Sequence, residues 1–109
     1  MRRPGRPVRW QGKVVGTVYG RTFYKSVTRK VHFFRKGGGY AIQAPVLRSL
    51  MERGITYVEI VEKDTGNLYR TTVKEYWTLG IPFDEGHGEQ IVLDLRYFDK
   101  VERPQLALF

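Results

Sequence analysis

The sequence predicts an α+β fold with about six mostly antiparallel strands and one central helix. Short runs rich in β-branched and aromatic residues alternate with glycine-containing turns along most of the chain. One stretch, residues 44–54, instead spaces its apolar residues as a helix does. A chain of 109 residues has room for one real hydrophobic core, so we expect one domain.

The first half of the chain contains several strand-like runs. KVVGTVYG and RTFYKSV are separated by a turn at Gly20, and KVHFFRK and YAIQ flank three glycines at positions 37–39. Glycines between two aromatic-rich runs predict a hairpin loop, or a backbone left bare for close approach.

The segment APVLRSLMERG predicts the helix. Pro45 suits its first turn and Gly54 suits its C-terminal cap. The apolar side chains that recur on one face are Val46, Leu47, Leu50 and Met51. We expect this face to pack on the sheet.

The second half begins with a predicted hairpin. TYVEIVEK alternates strictly, DTGN forms the turn, and LYRTTVK returns. The segment EYWTLGIPFDEGHGEQ, with three glycines and a proline, predicts a long irregular connection, and IVLDLRYF predicts a last strand. Three strand runs, a helix and a hairpin are also the order of an OB-type barrel, which is the alternative architecture.

Both chain ends are predicted to lie outside the domain, which we place at residues 10–103. Residues 1–9 open with MRRPGRP, whose prolines and glycine disfavour helix and strand, so we expect a flexible basic arm. Pro104 stops any strand or helix from running on, and residues 104–109 form a C-terminal linear motif.

The composition argues against several classes of protein. The absence of cysteine excludes disulfides and thiolate metal sites, and two histidines, His32 and His87, are too few for a histidine-rich site. No apolar run approaches membrane-spanning length, and the N-terminus lacks the apolar stretch of a signal peptide. We therefore expect a cytoplasmic protein with no membrane contact, no cofactor and no bound metal.

Candidate catalytic groups are few, which favours a non-enzymatic protein. No P-loop, dinucleotide fingerprint or nucleophile motif is present. The carboxylates at 59–64 and those beside His87 at 84–89 leave a small metal-dependent nuclease as an alternative. Strand alternation, however, places Glu59 and Glu62 on opposite faces, and the loop glycines make a ligand set costly to preorganise.

Charge is distributed very unevenly along the chain. The net charge is +8, yet residues 1–51 contain no acid at all, and the first acidic residue is Glu52. Such asymmetry favours a polyanionic partner, nucleic acid before membrane. The candidate phosphate-binding residues are Arg2, Arg3, Arg6, Arg9, Arg21, Lys25, Arg29, Lys30, Arg35 and Lys36.

Aromatic residues are interleaved with these cations between residues 19 and 40. In TFYKSV, Phe23 and Lys25 share one face of the strand and Tyr24 lies on the other. One ring of the pair Phe23 and Tyr24 would then be buried in the core, and the other would be exposed and able to stack on a base. DNA is the expected partner, and RNA, which would use the same charges and rings, stays an alternative.

The N-terminal sequence RRPGRPVR resembles an AT-hook, whose Arg-Gly-Arg-Pro core lies in the minor groove of A·T-rich DNA. Gly5, Arg6 and Pro7 match this core, whereas Pro4 stands where its first arginine belongs. The resemblance implies an arm that places arginine in a narrow minor groove.

The C-terminal sequence QLALF resembles the bacterial sliding-clamp-binding motif, Gln-Leu-x-Leu-Phe. The four defining positions are Gln105, Leu106, Leu108 and Phe109. The resemblance implies that Gln105 occupies a polar subsite of the clamp and that Leu108 and Phe109 fill an apolar pocket. The sequence thus predicts a DNA-binding accessory protein that docks on the replication clamp. A protein-binding inhibitor module of phage or mobile-element origin is the alternative.

Overall fold

Nine strands and two α-helices make up the part of the chain that the computed structural model describes, residues 5–28, 30–31, 38–84, 86 and 88–102. The strands are β1 (Arg6–Trp10), β2 (Lys13–Tyr19), β3 (Thr22–Val27), β4 (Gly39–Gln43), β5 (Tyr57–Glu62), β6 (Leu68–Thr72), β7 (Ile81–Asp84), β8 (Glu89–Asp94) and β9 (Asp99–Val101). The helices are α1 (Ala44–Glu52) and α2 (Val73–Leu79), and a 3₁₀ turn spans Leu95–Tyr97. The predicted α+β class is confirmed.

The strands form two sheets. The larger sheet is open, with the order β1-β2-β3-β5-β6-β9, and the smaller has the order β4-β8-β7. All paired strands are antiparallel except β3 and β5, which are parallel and are connected through β4 and α1. No closed barrel is detected in the described residues, so the OB-type alternative is not supported.

The first hairpin corrects the prediction that residues 6–9 belong to an arm without regular structure. β1 begins at Arg6 and pairs with β2. The turn residues Gln11 and Gly12 have φ values of 52° and 80°, as a two-residue hairpin turn of type I′ requires. Pro7 is tolerated because β1 is an edge strand. Residues 1–4 of the predicted arm lie outside the described residues.

The predicted helix is confirmed as α1, with Pro45 in its first turn. At its end, the Gly54 N–H donates to the Met51 carbonyl at 3.1 Å, and the Ile55 N–H donates to the Leu50 carbonyl at 3.0 Å. This pair of bonds is a Schellman cap, and Gly54 supplies the positive φ, 73°, that the cap requires.

The apolar face of α1 is buried as predicted, with one exception. Val46, Leu47 and Leu50 are at most 3% exposed, whereas Met51 is 53% exposed. At about 100° per residue, Val46, Leu50 and Leu47 span the buried face in that order, and Met51 lies about 40° beyond Leu47, at the edge of the face. No helix in the described residues has the length and apolar character needed to cross a membrane.

The segment after β6 is the largest departure from the prediction, because it contains α2 and β7 rather than a long irregular connection. The Thr72 hydroxyl caps α2 by accepting the Glu75 N–H at 3.1 Å. The Tyr76 hydroxyl, which is buried, donates to the carbonyl of Tyr40 at 2.9 Å and ties α2 to β4. β7 then pairs with β8 as an edge strand.

The core lies between the inner face of the larger sheet, the smaller sheet and the two helices. Its fully buried apolar residues include Phe23, Ile42, Leu47, Leu50, Val58, Ile60, Val92 and Leu93. Gly16 makes room for the ring of Phe23, since a Cβ at position 16 would lie 2.4 Å from that ring. The inner face of the larger sheet is therefore closed, and any surface site on this sheet must use its other face.

Candidate nucleic-acid interface

The face of the larger sheet that points away from the core is called here the outer face. The fully buried Phe23, Val58 and Ile60 mark the inner face of β3 and β5. Alternation assigns the intervening residues to the outer face, and the strand registers extend the assignment to β2 and β6. Residues of the outer face include Thr17, Tyr19, Thr22, Tyr24, Tyr57, Glu59, Arg70 and Thr72.

A β-bulge in the first hairpin brings Arg9 to the outer face. The register between β1 and β2 shifts between Val8 and Arg9, which leaves Val15 as the extra residue of β2. Val15 packs against the core, whereas Val14 is 52% exposed. Arg9 pairs with Val14 and is exposed, so it lies on the outer face with it.

Three tyrosines from three strands cluster at one end of the outer face. Tyr19, Thr22 and Tyr57 lie opposite one another in a row across β2, β3 and β5, and Tyr24 lies in the next row. Neighbouring strands are about 4.8 Å apart, so the backbones at Tyr19 and Tyr57 are about 10 Å apart. Tyr19 is 49% exposed and Tyr57 is 39% exposed, which is unusual for aromatic side chains in a small domain.

The ring of Tyr19 is held in place from two sides. It meets the Tyr24 ring edge to face, with the ring centroids 6.5 Å apart. On its other flank is Gly5, where an added Cβ would lie 2.6 Å from Cε1 of Tyr19 and 2.3 Å from the Thr17 methyl carbon. A side chain at position 5 would displace the ring, so glycine there allows its exposed orientation.

Tyr57 is paired with an arginine. The Arg70 guanidinium carbon lies 4.1 Å from the centroid of the Tyr57 ring, in cation–π contact. The Nε atom of Arg70 is also 3.6 Å from a carboxylate oxygen of Glu59, which is 6% exposed. The charge of Glu59 is therefore balanced, and this part of the outer face presents a ring and a partly exposed guanidinium.

Arg21 stands in the turn between β2 and β3, next to both exposed tyrosines. Its carbonyl oxygen accepts the N–H groups of Thr56 and Tyr57, each at 2.9 Å. These bonds fix the turn against the start of β5, and the Arg21 side chain is exposed. The turn thus adds a cation beside the row that contains Tyr19 and Tyr57.

The structure places the predicted cations in different surroundings. Arg6, Arg9 and Arg21 are exposed, with Arg6 on the edge strand opposite Val18. Lys30 lies 3.9 Å from Glu62 and is 31% exposed. The predicted residues that lie outside the described residues are Arg2, Arg3, Arg29, Arg35, Lys36, Gln105, Leu106, Leu108 and Phe109.

Lys25 is separated from the other predicted cations. Alternation places it with Phe23, as predicted, but this is the inner face, and the Lys25 Nζ donates to the Ala41 carbonyl at 3.1 Å. Burial lowers the pKa of its ammonium group from 10.5 to about 8. We therefore leave Lys25 out of the candidate interface.

Glu62 belongs to a polar cluster on the inner side of the sheet. Its carboxylate accepts the Tyr40 hydroxyl at 2.5 Å and the Thr65 hydroxyl at 3.0 Å. Burial alone would raise the pKa of Glu62, but these hydrogen bonds and the charge of Lys30 lower it. Burial and the bond to Glu62 raise the pKa of Tyr40 well above its ordinary value. The cluster joins β4 to the end of β5.

Among the described residues, the carboxylates considered for a nuclease are not brought together. Glu59 and Glu62 bind different partners on opposite faces, as predicted. Asp84 accepts the N–H of Gly86 at 2.7 Å in a local turn, and Glu85 and His87 lie outside the described residues. Within the described residues, no group of three or more acidic or histidine side chains could hold a metal ion.

Sequence reasoning missed Tyr57 and Arg70, because both lie in the acidic part of the chain where no cationic site was sought. The parallel pairing of β3 with β5 brings them beside Tyr19 and Tyr24. The alternation of β5 did place Tyr57 opposite the core residues Val58 and Ile60. The strand order, which the sequence does not give, was needed to place it beside the other tyrosines.

Comparison with protein-family models, with curated proteins and with solved structures finds no match to this chain. The fold and the candidate site define the class on their own: an α+β domain with an open sheet face that carries exposed tyrosines and arginines.

Proposed function

We propose that this protein is a small non-enzymatic DNA-binding accessory protein that docks on the replication sliding clamp. The observation that carries the DNA contact is the outer face, where Arg9 and Arg21 are exposed at opposite ends of β2 and the one buried acid, Glu59, is paired with Arg70. Val14 and Tyr19 mark these ends and are about 17 Å apart. A phosphate backbone that crosses the face would meet a cation at each end.

The charge of the whole chain supports the same surface. The first 51 residues, which contain no acid, supply β1, β2 and β3 of the larger sheet. Cations of the N-terminal residues, Arg2 and Arg3, precede the edge strand β1 and would extend the positive surface beyond it. Non-specific attraction of this kind raises the rate of encounter with a polyanion and weakens as salt is added.

Fluorescence anisotropy with labelled DNA at low salt tests this proposal. Replacing both Arg9 and Arg21 by Gln should weaken DNA binding by roughly two- to 30-fold, from the loss of two exposed charge contacts. The matched control replaces Arg48 and Arg53, which are exposed on α1 and at its C-terminal end, by Gln and removes the same net charge. Equal weakening in both variants would mean that net charge alone acts, and no binding by the intact protein would end the DNA proposal.

The clamp contact rests on the motif Gln105, Leu106, Leu108 and Phe109, with Ala107 at the permissive position. Burial of the three large apolar side chains would contribute roughly 1.5–3 kcal/mol each, and ordering the segment and association would offset much of this. The sum is consistent with a micromolar contact, about −8 kcal/mol. DNA binding by the domain would add avidity, and a cytoplasmic location is part of the proposal.

A titration of a bacterial clamp tests the second contact. Deleting residues 105–109 should abolish clamp binding and leave DNA binding unchanged. The matched control keeps the composition of the segment but exchanges Gln105 with Phe109, which should also abolish binding. Unchanged clamp affinity in the deletion variant would refute this half of the proposal. Clamp binding by an intact protein that never binds DNA would instead favour an inhibitor module.

A further inference from the structure

We propose that the outer face binds single-stranded nucleic acid, with bases stacked on Tyr19 and on the Tyr57–Arg70 pair. This inference rests on the proposed DNA-binding function and specifies its ligand. The starting observation is that two exposed aromatic side chains, Tyr19 and Tyr57, lie in one row of the same sheet face. An exposed ring offers a stacking surface that every base can use.

The geometry of the row fits unpaired bases rather than a duplex. Two exposed rings on strands whose backbones are about 10 Å apart offer platforms for two separate bases. In a duplex the base faces are already stacked, and only base edges and phosphates are accessible. The rings would therefore contribute to the binding of a single strand and add little to the binding of a duplex.

The rings are also held in advance of binding. Tyr19 is supported by the edge of Tyr24 and by the bare backbone at Gly5, and the Tyr57 ring lies against the Arg70 guanidinium. Glu59 in turn holds the Nε side of Arg70 at 3.6 Å. A platform whose side chains are already ordered loses less conformational entropy when a base stacks on it.

The charge around the platform is complementary to the ligand. Arg21 lies in the turn beside the row. Arg70 lies in the next row, opposite Glu59, with its guanidinium over the Tyr57 ring, so two cations accompany two rings. The side chain of Arg70 is 41% exposed, and its guanidinium has a plane that a base can also stack on. Asp99 pairs with Arg70 in the register of β9 and lies at the far edge of this face.

Anisotropy with a labelled oligo(dT) of about 12 nucleotides and with a duplex of the same length tests the platform. Tyr19→Leu and Tyr57→Leu should each weaken oligo(dT) binding by roughly five- to 100-fold and leave duplex binding within about twofold of the intact protein. Tyr19→Phe and Tyr57→Phe keep the ring and should restore binding of the single strand.

Tyr97 provides a matched control. It is 37% exposed and lies 5.0 Å from the guanidinium carbon of Arg96, but it belongs to the 3₁₀ turn and not to the outer face. Tyr97→Leu should leave oligo(dT) affinity unchanged. If the two outer-face Leu variants bind oligo(dT) as tightly as the intact protein, or if Tyr97→Leu weakens it equally, the platform is wrong.

Two further experiments distinguish failure of the stacking proposal from failure of DNA binding. Photocrosslinking of the unaltered protein to bromodeoxyuridine-substituted oligonucleotide should label peptides that contain Tyr19 or Tyr57, and labelling confined to other peptides would overturn the inference. The Arg9→Gln, Arg21→Gln double variant separates the two proposals. If it weakens binding while the outer-face Leu variants do not, DNA binding stands and stacking fails. If the intact protein binds neither oligonucleotide, the proposed function fails as well.

Discussion

At the scale of single residues, Lys25 shows how the same side chain changes its chemistry with the face it occupies. Its Nζ donates to the carbonyl of Ala41, and burial lowers the pKa of the ammonium group to about 8. In the unfolded chain the same group titrates near 10.5. Between these two values the unfolded chain binds more protons than the folded protein, so the free energy of unfolding rises with pH.

Lys25 should therefore leave a measurable pH dependence. Between pH 8 and about pH 9.5 the free energy of unfolding should rise by about 1–2 kcal/mol, and in Lys25→Met this rise should disappear. Denaturant unfolding at both pH values measures it. Lys63→Met, which removes an exposed lysine, should keep the rise. A flat profile in the unaltered protein over this window would show that Lys25 is not held in the buried, low-pKa state.

The same residue marks the limit of sequence reasoning about the site. Alternation correctly put Lys25 with Phe23 and opposite Tyr24. It did not tell which of these faces the core would cover, since that depends on where the helices and the smaller sheet pack. For β5 the answer was clearer, because Val58 and Ile60 on one side are apolar and Glu59 on the other is charged.

At the scale of elements, the predictable parts are those whose signals are local and long enough. The sequence of α1 contains an apolar face, a proline suited to the first turn and a glycine suited to the C-terminal cap. The sequences of β5 and β6 alternate on either side of a turn at Gly66, whose φ is 77°. β9 has three residues and gains its definition from pairing with β6, some thirty residues earlier in the chain. A strand of three residues that pairs with so distant a segment has no local sequence pattern from which the pairing could be predicted.

α2 was missed although its sequence carries a start signal. Seven residues are too few to establish a helical period, but Thr72 and Glu75 have the spacing of a capping box. In the structure the Thr72 hydroxyl accepts the Glu75 N–H and also contacts its carboxylate. This cap holds α2 at the end of β6, where Tyr76 reaches the core.

Removing the cap should therefore destabilise the domain. Thr72→Ala should lower the free energy of unfolding by about 1 kcal/mol, because the Glu75 N–H loses its acceptor. Thr78→Ala, in the exposed part of α2, removes the same atoms from a helix interior and should be neutral or slightly stabilising. Thermal and denaturant unfolding of both variants measures the difference. Equal stability of the two variants would mean that the hydrogen bond to Glu75 contributes nothing net.

At the scale of the whole molecule, the two halves of the chain differ in charge but share one sheet. β1 to β3 come from the acid-free half, and β5, β6 and β9 come from the half with net negative charge. The parallel contact between β3 and β5 joins them, so the outer face combines Tyr19 and Arg21 with Tyr57 and Arg70. If the outer face binds a single strand as proposed, its binding free energy would be divided between charge and stacking.

These two contributions respond differently to salt, which provides a last prediction. For single strands, the slope of log K against log salt changes by about 0.7 for each phosphate contact, so Arg2→Gln with Arg3→Gln should reduce its magnitude by up to about 1.4. Tyr57→Leu, which removes a ring and no charge, should lower affinity at every salt concentration by the same factor and keep the slope. Oligo(dT) titrations between about 50 and 200 mM salt measure both. A changed slope in Tyr57→Leu would show that the ring acts by positioning Arg70 on a phosphate. An unchanged slope in the double variant of Arg2 and Arg3 would show that these N-terminal cations do not contact the bound strand.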